Sequence, residues 1–209
     1  MYKKMSEKNT VVEKELYKKI IAITNRHLCD RELLYQIELL CKAGVSAIIL
    51  REKDMTEKEY EVLAEKAVSI GRTYNTPVII HSFVNVAESL NNMSLHLSMP
   101  EFMRITKSDG NSYKTLRSRF RIIGISTHTL EEAVEAEKAG ATYITASHIY
   151  ETDCKKGLEP KGIDYLKEVC KAVSIPVYAL GGINYKNMAE AIEAGAEKVC
   201  MMSEMMRMK

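Results

Sequence analysis

The chain has 209 residues, 46% of them hydrophobic and 28% charged, with a formal net charge of +2 at pH 7. That length and apolar content suit one domain with a substantial core, and the near-balanced charge excludes a nucleic-acid or membrane surface as partner, so any bound anion is small and local. Five cysteines (Cys29, Cys41, Cys154, Cys170, Cys200) form no Cys-x-x-Cys pair, no hydrophobic signal core precedes them, and no apolar run reaches membrane-spanning length. The expectation is a reduced, cytoplasmic protein.

Residues 1–15 are polar and mixed in charge, and read as an N-terminal extension to a single domain over 16–209. Strand-like runs, most of them β-branched, then recur at 20–24, 47–51, 78–82, 94–98, 121–127, 143–150, 176–181 and 198–202. Between them, 30–43, 56–74, 129–139, 163–173 and 185–194 carry apolar residues at helical spacing. Alternation of this kind gives parallel strands with crossover helices, and eight strands close a barrel. The expected fold is a (β/α)8 TIM barrel.

Local punctuation agrees. Thr56 with Glu59, and Thr129 with Glu132, have capping-box spacing, and Asn184 is placed to cap the segment after it. Gly44, Gly140 and Gly195 each follow a Lys-Ala or Glu-Ala pair and suit a left-handed helix end, while Pro77 and Pro176 open strands. Only Glu204 to Lys209 remain after the eighth strand, so the eighth helix is expected to be short or missing. The methionines from Met201 to Met208 then serve as adaptable core or contact filling. Either the segment around Val11 to Tyr17 or a second copy of the chain in a homodimer is expected to cover that wall.

In a barrel of this type the active site lies at the carboxyl ends of the strands. Those ends carry Arg51-Glu52-Lys53, His81-Ser82, His96-Leu97-Ser98, Ser126-Thr127-His128, His148, Gly181-Gly182 and Ser203. Gly181, Gly182 and Asn184, with Ser203 opposite, form a candidate phosphate cradle after strands seven and eight. Arg51 and Lys53 offer a second anion site, with Glu52 on the other face of the strand. Thr152, Lys155, Lys156 and Gly157 read as a cationic lid, and His128 at the rim is the candidate acid/base. Against zinc stands the lack of a carboxylate at ligand spacing near His81, His96 and His148. His27 reads as incidental, and Cys154 lacks a base beside it.

The motifs Leu50-Arg51-Glu52-Lys53, Gly124-Ile125-Ser126-Thr127-His128-Thr129-Leu130-Glu131-Glu132, Thr152-Asp153-Cys154-Lys155, Gly181-Gly182-Ile183 and Ser203 resemble, in order, the thiamine phosphate synthase and TenI superfamily. His148-Ile149-Tyr150 followed by Glu151-Thr152-Asp153-Cys154-Lys155-Lys156-Gly157 resembles its TenI branch. The resemblance implies a barrel and thiazole tautomerase activity without a cofactor or metal, isomerising a small carboxythiazole phosphate to its aromatic tautomer by histidine acid/base catalysis. His128 matches the acid/base position, Gly181, Gly182, Met202 and Ser203 the phosphate loops, and Ser126, Thr152 and Lys155 the pocket. A magnesium-dependent thiamine phosphate synthase, using a pyrimidine pyrophosphate and thiazole phosphate, is the alternative, as is a non-catalytic binder of thiazole phosphate. Synthases in the family usually carry Asn-Asp after strand three and an aspartate after strand four, where this chain has His81-Ser82 and Ser98-Met99-Pro100-Glu101.

Overall fold

The computed structural model describes residues 15–108 and 112–209. Residues 1–14, and with them Val11 and nearly all of the N-terminal extension, lie outside the described residues. Eight parallel strands close a barrel in sequence order: β1 Ile20–Ile23, β2 Ala47–Leu50, β3 Val78–His81, β4 Ser94–Ser98, β5 Ile122–Thr127, β6 Tyr143–Ser147, β7 Val177–Leu180 and β8 Lys198–Met201. The expected TIM barrel is present.

The five expected helices form at Leu33–Ala43, Glu57–Thr73, Leu130–Lys138, Gly162–Ala172 and Met188–Glu193. Three more, Val84–Ser89, Met99–Ser108 and Ser112–Arg119, were not anticipated. β6 is shorter than its β-branched run. Residues 149 and 150 nevertheless continue beside β7, with Ile149 N–H donating to Leu180 O and Tyr150 N–H to Gly181 O.

Thr56 and Glu59 make the full reciprocal cap. Thr129 accepts from Glu132 N–H, but the Glu132 carboxylate reaches one residue further, to His128 N–H at 2.6 Å. The cap therefore also holds the rim histidine's backbone. Asn184 differs from expectation: its side-chain oxygen accepts from Lys186 N–H within a turn, and the helix that follows starts after Asn187. Gly44, Gly140 and Gly195 all adopt positive φ at their junctions.

Side chains alternate across a strand with period two, and this decides what reaches the site. Ile20, Ala22, Ile48 and Leu50 face the helices in the larger core. Ile21, Ile23, Ala47, Ile49, Ile79, Tyr143, Tyr178 and Cys200 pack together inside the barrel. Continuing the inward parity past Ile49 reaches Arg51 and Lys53; past Ile79, His81; past Ile122, Gly124, Ser126 and His128; past Tyr143, Thr145 and Ser147; past Cys200, Met202. The upper layers of an apolar barrel core thus become polar at its carboxyl end.

After β8 the eighth helix is a single turn, Ser203–Met206. Met205 and Met206 are buried within the chain itself. Gln36, fully buried on the helix Leu33–Ala43, donates from Nε2 to Met205 O at 2.7 Å and Met208 O at 3.0 Å. The Met-rich end therefore fills space beneath a neighbouring helix. Among the described residues, no helix is long and apolar enough to cross a membrane.

Candidate active site

One cleft of about 790 Å³ opens at the carboxyl ends of the strands, within the size range of small-molecule sites. Arg51, Lys53, Ser126, His128, Thr152, Lys155, Gly181, Gly182, Met202 and Ser203 all line it, as do His81, His96, Ser98, Ser147 and His148. A second cavity of about 250 Å³ near the other end of β3 and β4 has Arg72 as its one charged lining residue. The convergent titratable groups are in the larger cleft.

Gly181 and Gly182 hold positive φ values of 100° and 67° where the chain turns out of β7. A Cβ on Gly181 would stand 2.3 Å from His148 Cβ, and one on Gly182 2.3 Å from Glu151 O. The two glycines therefore let the turn lie against residues 148–151, a constraint that exists before any ligand binds. Asn187 steadies the turn by donating to Gly182 O at 3.0 Å.

His128 Nδ1 lies 2.9 Å from Ser147 Oγ and 3.3 Å from Lys155 Nζ. The Ser147 carbonyl oxygen is a third neighbour of Nδ1, at 3.4 Å, so this nitrogen faces a donor and an acceptor together. Lys155 enters from the 3-10 turn Asp153–Lys155, so the loop after β6 and the end of β5 meet at this imidazole. The side chain of Cys154 lies outside the described residues.

Arg51 and Lys53 project from the end of β2 toward the same cleft. Burial, and then the neighbouring Arg51 charge, lower the Lys53 pKa. Two cations held side by side suit a ligand with more than one negative charge. Glu52 does face the other way. It is buried, accepts from Arg26 N–H at 3.1 and 3.2 Å, and pairs with the Arg26 guanidinium. Arg26 in turn holds Asp54 at 2.6 Å, and His27 also contacts Asp54. His27 thus belongs to a latch between the loops after β1 and β2.

Sequence reasoning missed several contributors. Tyr60, on the helix Glu57–Thr73, donates to Leu50 O and accepts from His81 N–H at 3.1 Å, fixing the ends of β2 and β3. Tyr143 and Ser147 support His96 and His128 from β6. The inward parity of β6 was the available signal for both.

The chain matches the family described as Thiamine monophosphate synthase (TMP-TENI) over residues 20–205. The chain belongs to the thiamine monophosphate synthase family. Among the similar proteins of this family, a thiamine-phosphate synthase of Clostridium acetobutylicum is 34% identical over 187 residues, covering 90% of this chain and 86% of that protein. One from Halalkalibacterium halodurans is 35% identical over 176 residues, covering 84% and 81%. A solved structure of a thiamine phosphate pyrophosphorylase from Pyrococcus furiosus superposes with a TM-score of 0.78 at 29% identity, covering 93% of this chain and 89% of that one.

These relatives correct the functional expectation drawn from the β6 loop. Proteins matching at 34% and 35% identity over most of both chains carry the synthase name, so the TenI tautomerase reading gives way to its alternative.

Proposed function

We propose that this chain is a thiamine-phosphate synthase-type transferase, which joins a pyrimidine carried on a diphosphate to a thiazole phosphate. The observation that carries the reading is similarity over most of both chains to proteins that bear the synthase name, and a cleft lined by two groups of residues suited to anions accommodates it. In this reading the thiazole's phosphate sits at Gly181, Gly182 and Ser203, while the diphosphate lies toward Arg51, Lys53 and Lys155. The bond from carbon to diphosphate breaks as the bond to the thiazole forms, and diphosphate leaves with the bonding pair. The cations stabilise that leaving charge, and His128 stands beside Lys155 on the same wall. The similarity spans 86% and 81% of two relatives that bear the synthase name, which supports the assignment.

Magnesium, which the synthase resemblance implies, finds a poor donor set here. The metal prefers several hard oxygen ligands. At the ends of β3 and β4 the chain offers the His81 imidazole, bonded at 2.9 Å to Ser82 Oγ, and Glu101, whose pKa burial raises. Among the described residues, no group of three or more His, Cys, Asp or Glu side chains is placed to hold a metal. Countercharge for the diphosphate is accordingly assigned to Arg51, Lys53 and Lys155.

The test mixes the protein with the pyrimidine diphosphate and the thiazole phosphate, with a chelator and again with added magnesium. Release of inorganic pyrophosphate matched by thiamine phosphate supports the reading. Binding of both substrates with no pyrophosphate released in either medium contradicts it.

A further inference from the structure

A line of buried polar side chains crosses the barrel beneath the cleft. Tyr143 Oη lies 2.8 Å from His96 Nδ1, and His96 Nε2 lies 2.8 Å from Ser126 Oγ. Thr145 Oγ1 also donates to Ser126 Oγ, at 3.4 Å. Tyr143 and His96 are each 2% exposed and Thr145 is fully buried; Ser126 and the edge of His96 reach the cleft wall.

The chain makes room for this line. A Cβ on Gly124, two residues before Ser126 on β5, would fall on the Tyr143 ring, with Cζ 1.9 Å away. Glycine at that position admits the phenol to the barrel axis, where Tyr178 stacks on it with ring centroids 4.6 Å apart.

The direction of the hydrogens follows from the groups available. Burial pushes the His96 pKa down to about 3, so the ring is neutral and has one N–H and one lone pair. If Nδ1 carried the hydrogen, Tyr143 would accept from it, and the phenol's own hydrogen would lie buried with no acceptor among the described residues. That arrangement forfeits a buried hydrogen bond. If instead Tyr143 donates to Nδ1, then Nε2–H donates to Ser126 Oγ and every member is satisfied. With donors from His96 and Thr145 on its oxygen, the Ser126 hydrogen has one direction left, into the cleft.

We propose that Tyr143 and His96 are positioning residues that hold Ser126 as a hydrogen-bond donor toward the cleft, selecting a ligand that presents an acceptor there, a ring nitrogen or a phosphoryl oxygen. The reversed tautomer would draw the serine hydrogen onto His96 and leave only oxygen lone pairs facing the ligand. The inference rests on this cleft being the binding site and is indifferent to the reaction performed in it.

Nitrogen NMR of the 15N-histidine-labelled full chain, without ligand and at neutral pH, reads the tautomer directly. The expected spectrum has His96 with a hydrogen-bearing Nε2 and a bare Nδ1; the opposite pattern overturns the proposal. Because no substrate is present, this outcome is separable from failure of the transferase reading. Calorimetric titration with thiazole phosphate and with inorganic pyrophosphate then tests the consequence. Tyr143→Phe and Ser126→Ala should each weaken one of these ligands by roughly two- to tenfold, the loss of one hydrogen bond. Ser126→Thr should restore it, and the double variant should lose no more than Ser126→Ala alone. Losses that add, or a Tyr143→Phe protein that binds both ligands like wild type, would show that Tyr143 only packs the barrel.

Discussion

Gly182 shows how a residue picked for one reason is required for another. Read from sequence, it was space for a phosphate; in the fold, its missing Cβ is also space for Glu151 O and Tyr150. Gly182→Ala should therefore lower thermal stability by several degrees even without ligand, since backbone strain of this kind costs about 1–3 kcal/mol. A melting curve in phosphate-free buffer checks this, and an unchanged midpoint would return the glycine to a purely ligand-facing role. The rim candidates were legible because strand parity carries them into one cleft. What remained hidden was which group each would touch. Nothing in the sequence order links His128 to Ser147 and Lys155, or His96 to Tyr143, because those pairs meet across strands and loops.

At the scale of elements, two tethers control the rim. The first joins the loops after β1 and β2 through Arg26, Glu52 and Asp54. The hydrogen bond from Arg26, followed by that from His27, holds the Asp54 carboxyl well below the usual carboxylate range. A depressed folded pKa contributes stability above the ordinary aspartate value, near 3.9, and loses it as pH falls toward the folded value. Since Asp54 is half exposed, the effect is modest and screened by salt. Below about pH 4 in low salt, the wild-type midpoint should fall more steeply than that of Asp54→Asn; parallel acid limbs would remove the latch from the account. The second tether is Gln36, which holds the turn after β8 against the helix Leu33–Ala43. Gln36→Leu strands two carbonyls while removing the buried Gln36 Oε1, which has no partner among the described residues. The net loss should be about 1–2 kcal/mol by urea unfolding. A variant as stable as wild type would mean that methionine packing alone holds the end. The few residues after the eighth strand announced the short helix but not this tether, since a buried glutamine within an apolar stripe looks like a break in the pattern.

Across the whole molecule, the repeating β-branched runs and helix-length spacers were enough to specify the closed barrel, because each βα unit buries one strand face inward and one against helices. Three helices between β3 and β5 escaped notice. Val84–Ser89 is too short to show periodicity, and Ser112–Arg119 is strongly polar. The choice of reaction was less legible. The β6 loop suggested one branch of the superfamily, while similarity along the chain to proteins named synthases favours the other, whose two substrates call for a two-anion cleft, a property no single motif displays. The most direct test of that claim is a calorimetric titration of inorganic pyrophosphate into protein already saturated with thiazole phosphate. The account predicts that one pyrophosphate still binds per chain, and that Arg51→Ala weakens this event by roughly ten- to a hundredfold while sparing thiazole phosphate, the scale of a lost charge-assisted hydrogen bond. Displacement of the thiazole phosphate by pyrophosphate at a single shared site would contradict it.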